Sequence, residues 1–294
     1  MLSILIVDLA WMRASGLRFT DPGLALLGTS GLLLLAVVYG HSGRSKRLSD
    51  MGYYGALFIA CGALMSLMTY LAASGERELY DPVLSEFDRL LGFDWQRWAA
   101  FLRTCPRFDT LLAFAYASLL PQILLTVLLL AHAGREDRNK EFFWTVLVAL
   151  LATTAVFMLL PAAGPFAYYE LELDRAVHLK DLAELRAGGI HAYSMQQLQG
   201  IIAFPSFHTV LAVLIPYVHR GLRPAFLPCL VLNALMLVST PSHGGHYLVD
   251  MLGGVVIAAG SIALVRYLMR IRSAPTPAPS APHTTAAPSP APQR

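Results

Sequence analysis

The sequence has little charge. Asp, Glu, Lys and Arg make up 14% of its 294 residues, whereas 56% are hydrophobic and the mean hydropathy is +0.55. Soluble chains carry charge on roughly a quarter of their residues. The composition therefore excludes an ordinary soluble domain and predicts a membrane protein. The net charge of +3 also argues against a nucleic-acid partner.

Cysteine is scarce as well. Cys61, Cys105 and Cys229 form neither a Cys-x-x-Cys pair nor an even-numbered set. This excludes the usual zinc-finger and disulfide frameworks, and we interpret the three as packing residues. A basic leader is also missing, since residues 1–13 carry Asp8 within an apolar stretch. That segment predicts an interfacial or partly inserted helix.

Long apolar runs are abundant. Seven segments pass the length and charge tests for membrane helices, because a chain in hydrocarbon must satisfy its own backbone groups. They are residues 24–40, 52–73, 108–130, 142–160, 204–219, 224–240 and 246–269. We therefore predict an all-α, polytopic transmembrane bundle of about six to seven spans.

Basic residues follow every second segment. Alternating spans would bring all four clusters to one side, which the positive-inside rule makes cytoplasmic. The clusters are Arg44, Lys46 and Arg47; Arg135, Arg138 and Lys140; Arg220 and Arg223; and Arg266, Arg270 and Arg272. The opposite side then receives loops 74–107 and 161–203 and the turn 241–245. His208 and His246 both begin spans at this outer face.

The chain divides into three predicted regions: N-terminal spans and interfacial helices in 1–107, a catalytic membrane core in 108–270, and a disordered Pro/Ala-rich cytoplasmic tail in 271–294. Helical periodicity predicts interfacial helices that cap the bundle in loop 74–107, and a short helix in 174–188 that ends at two glycines. The residues that carry this periodicity are Leu84, Phe87, Leu90, Leu91, Trp95 and Trp98, and the two glycines are Gly188 and Gly189.

Ionisable residues at membrane depth are costly and favour a functional interpretation. Asp250 lies about one turn inside the last segment, four residues after His246, so a helix would place both on one face. The carboxylate could then orient the imidazole and leave its other nitrogen free to act as a base, nucleophile or ligand. A self-contained pair that only pins the helix is the structural alternative.

The segment Phe204–Thr209 supplies a second group, His208. Pro205 and Ser206 suit the start of a helix, whose free amides and positive dipole end form an anion site. Gly244 and Gly245 would let an oxygen-rich ligand approach the backbone, or would simply make a tight turn. Together these residues predict phosphoryl transfer without metal or cofactor. His246 attacks phosphorus, Asp250 stabilises the imidazolium and His208 protonates the leaving oxygen.

These residues resemble the motifs of the membrane branch of the type 2 phosphatidic-acid phosphatase superfamily. Its Pro-Ser-x-His element is matched by Pro205, Ser206 and His208, and its Ser-Arg-x5-His-x3-Asp element by Ser239, His246 and Asp250. The resemblance implies a lipid substrate, with His246 as nucleophile, Asp250 as its partner and His208 as general acid. Ser206, Thr240, His243, Gly244 and Gly245 are the predicted substrate-binding residues.

The chain departs from that pattern in its cations. Thr240 stands at the arginine position, and residues 160–170 lack the basic Lys and Arg-Pro element. We expect the missing charge to come from His243 or from a loop cation: Arg103, Arg107, Arg175, Lys180 or Arg186. The Gly-Pro at 164–165 and the Gly-His-Tyr-x-x-Asp core are similar to the inositol phosphorylceramide synthase branch, which transfers phosphoinositol. A diester carries less charge than a monoester, so fewer cations suit it.

Two other classes remain open from the sequence. His208, His243 and His246 could instead ligate a metal or haem in a membrane carrier. A transporter without catalysis is disfavoured, because few charges lie within the segments and no broken-helix pair is evident.

Overall fold

The structure is a computed structural model that describes residues 1–188 and 191–273 and is almost entirely helical. Its helices are α1 Leu2–Ser15, α2 Gly23–His41, α3 Lys46–Ala73, α4 Asp81–Leu90, α5 Trp95–Thr104, α6 Pro106–Ala117, α7 Leu119–His132, α8 Glu136–Leu159, α9 Pro165–Tyr168, α10 His178–Ala187, α11 Phe207–Val218, α12 Arg223–His243 and α13 Leu248–Ser273. Gly189 and most of the predicted tail, residues 274–294, lie outside the described residues.

Five helices are long and apolar enough to cross a membrane, or up to six with one bent pair counted as a span. The five are α2, α3, α8, α12 and α13. The predicted helical membrane fold is therefore confirmed, with five or up to six candidate spans against the six to seven expected. The bent pair is α6 and α7, which meet at 49° within the predicted segment 108–130. Pro121 explains the bend, because it lacks the N–H that would bond to the carbonyl of Ala117.

The segment 204–219, predicted as a span, forms the 12-residue helix α11. At 1.5 Å per residue it is roughly 18 Å long, too short for a hydrocarbon core of about 30 Å. It packs against α8, α12 and α13, and Val210, Leu214 and Val218 are fully buried. Helix α11 is thus a central core element with its histidine at one end.

The basic clusters meet at one end of the bundle. Lys46 pairs with Glu136, and Arg220 forms two hydrogen bonds with the buried Glu141, at 2.8 and 2.6 Å. Tyr217 donates a third hydrogen bond to Glu141. These contacts join the chain segments that follow α2, α7 and α11. The alternation predicted from the charge pattern therefore holds for these three clusters.

The opposite end carries the irregular structure. Strands β1 (Arg18–Thr20) and β2 (Ala192–Ser194) form a small parallel sheet, and α10 ends at Gly188, whose φ is 73°. The helix predicted in 174–188 is thereby confirmed. Tyr70 of α3 donates a hydrogen bond to Asp181 of α10, which anchors the 161–203 segment to the bundle. Helix α1 packs on α3 with Asp8 fully buried.

Candidate active site

The first turn of α11 is fastened to α13. Ser206 is the N-cap, and its hydroxyl accepts a hydrogen bond from the Thr209 amide at 3.3 Å. The Ser206 amide in turn donates to the carbonyl of Asp250 at 3.0 Å. The predicted cap is therefore present, and it brings the start of α11 beside the start of α13. Ser206 is fully buried.

His246 lies in the turn between α12 and α13. Helix α13 begins at Leu248, so His246 precedes the helix and does not share a helical face with Asp250 as the sequence suggested. The two are still adjacent, since His246 Nδ1 lies 3.4 Å from Asp250 Oδ2. That oxygen accepts a hydrogen bond from the Tyr247 amide at 2.8 Å. Asp250 therefore caps its own helix while facing the imidazole.

The second histidine is close by. The rings of His208 and His246 have centroids 6.5 Å apart. His208 stacks on Tyr116 of α6, with centroids 4.1 Å apart and planes 13° apart, and the Tyr116 hydroxyl lies 3.3 Å from His208 Nδ1. Two histidines separated by 38 positions in the sequence thus meet at one end of the bundle, next to the buried Asp250.

Burial keeps His246 and one further imidazole neutral. It lowers the pKa of His246 to about 4, although a hydrogen bond with the backbone of Ala203 favours the charged form. A further histidine, His178 at the start of α10, was missed in the sequence because no motif marks it. Burial, and then the charge of nearby His246, lower its pKa to about 4, although a hydrogen bond with the backbone of Ala163 favours its charged form. A neutral imidazole is the form that can act as a nucleophile.

His243 ends α12 within a polar cluster. Its Nδ1 lies 3.1 Å from the Ser242 hydroxyl, and its Nε2 lies 3.4 Å from both Asp109 Oδ1 and Arg175 Nη1. Tyr116, which stacks on His208, has its ring centroid 6.3 Å from that of His243. His243 therefore connects the histidine pair to a charged group on the loop.

Arg175 is the loop cation that contacts a predicted site residue in the described part of the chain. It pairs with Asp109 at 2.8 Å and with Glu172 at 3.4 Å. Of the other four predicted cations, Arg107 is exposed, and Arg103 contacts Glu172, the partner that it shares with Arg175. Lys180 contacts Glu184, and Arg186 donates to the carbonyls of Gly75 and Arg77. Beside Arg175 lies a cavity of about 30 Å³, which is large enough to hold ordered water.

Thr240, Gly244 and Gly245 are packed against other residues of the protein. The Thr240 side chain is buried and donates a hydrogen bond to the carbonyl of Met236 at 2.8 Å. A Cβ on Gly244 would lie 2.7 Å from the His246 ring, and one on Gly245 would lie 2.3 Å from Phe166. Tight packing thus accounts for both glycines. Their predicted approach to a ligand remains a prediction.

Two buried carboxylates of α4 were not predicted as site residues. Asp81 accepts hydrogen bonds from the amides of Ala163 at 2.9 Å and Gly164 at 2.7 Å, and from the Tyr247 hydroxyl at 3.1 Å. Asp88 accepts from the amides of Leu248 and Val249. The sequence signal was the spacing of seven, which puts both carboxylates on one helical face.

The histidines that could instead ligate a metal or haem have other neighbours in the structure. His243 Nε2 faces Asp109 and Arg175, and His208 is stacked on Tyr116. Within residues 1–188 and 191–273, no three His, Cys, Asp or Glu side chains are grouped so that they could hold a metal ion. The arrangement can instead supply a neutral nucleophile, a carboxylate partner and a second imidazole for proton transfer.

Comparison with known families identifies the chain. The family model described as the PAP2 superfamily matches residues 82–264, which is more than half of the sequence. The chain belongs to the PAP2 superfamily. The match starts within α4, so this PAP2 chain includes α4 and α5 in its family region and leaves α1, α2 and α3 outside it. Comparisons with curated proteins and with solved structures found no match.

Membership of the superfamily indicates the fold and the general activity of this PAP2 protein. The superfamily has a helical membrane fold, which agrees with the candidate spans, and it indicates a phosphatase-type activity on lipid. An integral membrane protein that acts on lipid in a bilayer follows from both observations. The narrower subgroup similar to inositol phosphorylceramide synthase is not resolved by the match.

Proposed function

We propose that this PAP2 protein is a metal-independent lipid phosphatase or phosphotransferase that works through a phosphohistidine on His246. The observation that supports it best is the His208–His246 pair, with ring centroids 6.5 Å apart and Asp250 3.4 Å from His246. Two imidazoles this close can both be directed at one phosphoryl group, whose phosphorus must come within ~3–3.5 Å of the attacking nitrogen.

The reaction has two displacements. The His246 nitrogen that does not face Asp250 attacks phosphorus, and a P–N bond forms as the P–O bond to the leaving alcohol breaks. His208, which enters the reaction as an imidazolium, donates its proton to that leaving oxygen and becomes neutral. An acceptor hydroxyl then attacks phosphorus, returns a proton to His208 and breaks the P–N bond. Asp250 stabilises the imidazolium charge in both steps.

We propose that Arg175 supplies the positive charge that the family's arginine would supply at position 240, where this chain has threonine. It reaches His243 at 3.4 Å and the carbonyl of Ser242 at 3.4 Å, so it approaches the same end of α12 from the loop. Its charge is shared with Asp109 and Glu172. One partly neutralised cation suits a phosphodiester better than a doubly charged monoester. We therefore propose transfer of phosphoinositol to a lipid acceptor.

The predicted substrate-binding residues divide by position. His243 and Gly244 are only partly buried and adjoin the histidine pair, which supports direct head-group contact. Ser206 and Thr240 use their hydroxyls in internal hydrogen bonds, so we propose that they shape the site through the backbone. Gly245 acts through its close approach to Phe166. We also propose that 108–270 forms the catalytic core together with α4 and α5.

The site is proposed to face the non-cytoplasmic side. It lies at the helix ends opposite the joined basic clusters around Glu136 and Glu141, and the positive-inside rule assigns basic loops to the cytoplasm. A cysteine-labelling experiment with a membrane-impermeant reagent on intact cells tests this. Glu170→Cys should be labelled, whereas Lys140→Cys should require permeabilised cells, and the reverse pattern would invert the assignment.

One assay separates the reactions. Purified protein in detergent receives phosphatidic acid, polyprenyl pyrophosphate or phosphatidylinositol, each with and without a lipid alcohol, and free phosphate is separated from transferred head group. A new head-grouped lipid supports transfer, whereas release of phosphate from monoesters alone excludes it. His246→Ala should abolish turnover, and His41→Ala, at an exposed site, is the matched control. Full turnover by His246→Ala would show that the mechanism is wrong.

A further inference from the structure

Helix α4 buries two carboxylates and exposes three large apolar side chains. Its buried residues are Asp81, Leu84 and Asp88, whereas Val83, Phe87 and Leu90 are 49%, 50% and 70% exposed. In a soluble protein this arrangement would be inverted. The buried carboxylates must find hydrogen-bond donors in the protein. The donors that they find lie beside the histidines.

Asp88 seals the N-terminus of α13. Its two oxygens accept hydrogen bonds from the Leu248 amide at 2.8 Å and the Val249 amide at 2.9 Å. The first amides of a helix have no partner within the helix and are usually capped by the residue that precedes it. That residue, Tyr247, has its hydroxyl engaged with Asp81. A different helix therefore supplies the cap.

This cap determines what Asp250 can do. Asp250 is the third residue of α13, a position from which a carboxylate bonds readily to free amides of the first turn. Since Asp88 occupies the first two amides, Asp250 keeps the Tyr247 amide at 2.8 Å and the contact with His246 at 3.4 Å. Without Asp88, the freed amides would compete for the Asp250 carboxylate.

We infer that Asp88 is a positioning residue for catalysis, which holds the Asp250 carboxylate against His246 by occupying the amides that would draw it away. This inference rests on the proposed nucleophilic role of His246. Asp88 does not contact the reacting atoms and acts through the backbone of α13. Its loss should therefore slow the chemical step and leave substrate affinity nearly unchanged.

The test compares kcat and KM for three variants in the same lipid assay. Asp88→Asn keeps the shape but replaces one acceptor oxygen with an NH₂ group, so one of the two amides loses its partner. Losing a partner that orients a metal-ligating side chain typically costs about 10–100-fold in activity; by the same reasoning we expect kcat to fall in that range, with KM within about twofold. Asp88→Glu restores the carboxylate and should recover part of the loss. Glu86→Gln, on the exposed face of α4, is the control and should match the parent.

The outcomes separate the two claims. If His246→Ala is inactive while Asp88→Asn keeps the parental kcat, the positioning role is wrong and the proposed function stands. If His246→Ala is active, the proposed function fails and the positioning role with it. A rise in KM at unchanged kcat would also overturn the inference, because that pattern belongs to substrate binding.

A second variant covers a folding failure of Asp88→Asn. Leu248→Pro removes one donor and leaves Asp88 intact, and proline is tolerated at the first position of a helix. Because this change removes an amide that could compete for Asp250, kcat should stay within about twofold of the parent, and the Asp88→Asn/Leu248→Pro double variant should recover most of the kcat that Asp88→Asn loses. Thermal unfolding in detergent verifies that the variant is folded. A folded double variant whose kcat is about tenfold or more below the parental value overturns the inference, because fewer competing amides then remain and the loss has another cause.

Discussion

The turn that carries His246 depends on the missing side chain of Gly245. Its φ is +61°, in the left-handed region, and an added Cβ would lie 2.3 Å from the Phe166 ring. In Gly245→Ala, the left-handed backbone costs about 1–2 kcal/mol, and displacing a packed ring costs about 1–3 kcal/mol. We therefore expect the free energy of unfolding to fall by roughly 2–5 kcal/mol.

A matched glycine separates the two contributions. Gly43 has a φ of +63° and has no atom within 4 Å of an added Cβ, so Gly43→Ala should lose only the backbone part, about 1–2 kcal/mol. Unfolding of both variants in mixed detergent, followed by circular dichroism, gives the comparison. Phe166→Leu provides a double-mutant cycle, since a smaller side chain should relieve the collision but not the backbone strain.

Two outcomes of the double-mutant cycle would contradict a contact between Phe166 and the turn. Equal losses for Gly245→Ala and Gly43→Ala, or strict additivity of Gly245→Ala with Phe166→Leu, would show that Phe166 does not press on the turn. A second readout is activity, because Gly245 directly precedes His246. Gly245→Ala should lower kcat in the fraction that remains folded, whereas Gly43→Ala should not.

Three further predictions concern the pH dependence of activity, the stack of Tyr116 on His208, and the end of the bundle where the basic clusters meet. Burial lowers the pKa of His246 to about 4, so kcat/KM should fall on the acid side only near pH 4; a pH–rate profile measures this. The unfolded value of 6.5 lies above the folded one, so this residue's contribution to stability should decline as pH falls from about 6.5 to about 4. Tyr116→Phe keeps the stack on His208 but removes the hydroxyl that lies 3.3 Å from His208 Nδ1. Because a hydrogen bond of about 1 kcal/mol or slightly more is lost, kcat in steady-state assays should fall about tenfold. An unchanged kcat excludes a role for this hydroxyl. Glu141→Gln weakens a half-buried ion pair, because the Arg220 side chain is 32% exposed, and should cost about 1–3 kcal/mol of stability in detergent unfolding, while kcat/KM of the folded protein stays parental.

The apolar segments were predictable because length and hydropathy act locally. All seven coincide with helices, but two differ in form from the prediction. Pro121 bends 108–130, and the proline was visible in the sequence as a break in the hydrogen-bond ladder. The short helix α11 was harder to predict. A sequence that is apolar on every side of a helix has the same pattern whether lipid or protein surrounds the helix.

The candidate site was predictable in part. His208, His246 and Asp250 stood out because ionisable groups are rare in apolar segments, and the structure brings them together. Asp81 and Asp88 did not stand out, since they lie among other charges in a loop that reads as an amphipathic cap. Their significance depends on amides about 80 and 160 positions away. His178 likewise gains its neighbour only through the fold.

The two carboxylates of α4 impose a constraint on the length of the chain. Asp81 and Asp88 bond to the 163–164 turn and to the start of α13 at the same time, and each inserted or deleted residue turns a helix by about 100°. A single insertion between them would rotate one carboxylate away from its amides. The outward residues Val83, Phe87 and Leu90 can exchange with other apolar side chains. Divergent chains that use this scaffold should therefore vary in those side chains and tolerate no insertion in the six residues that separate the two aspartates.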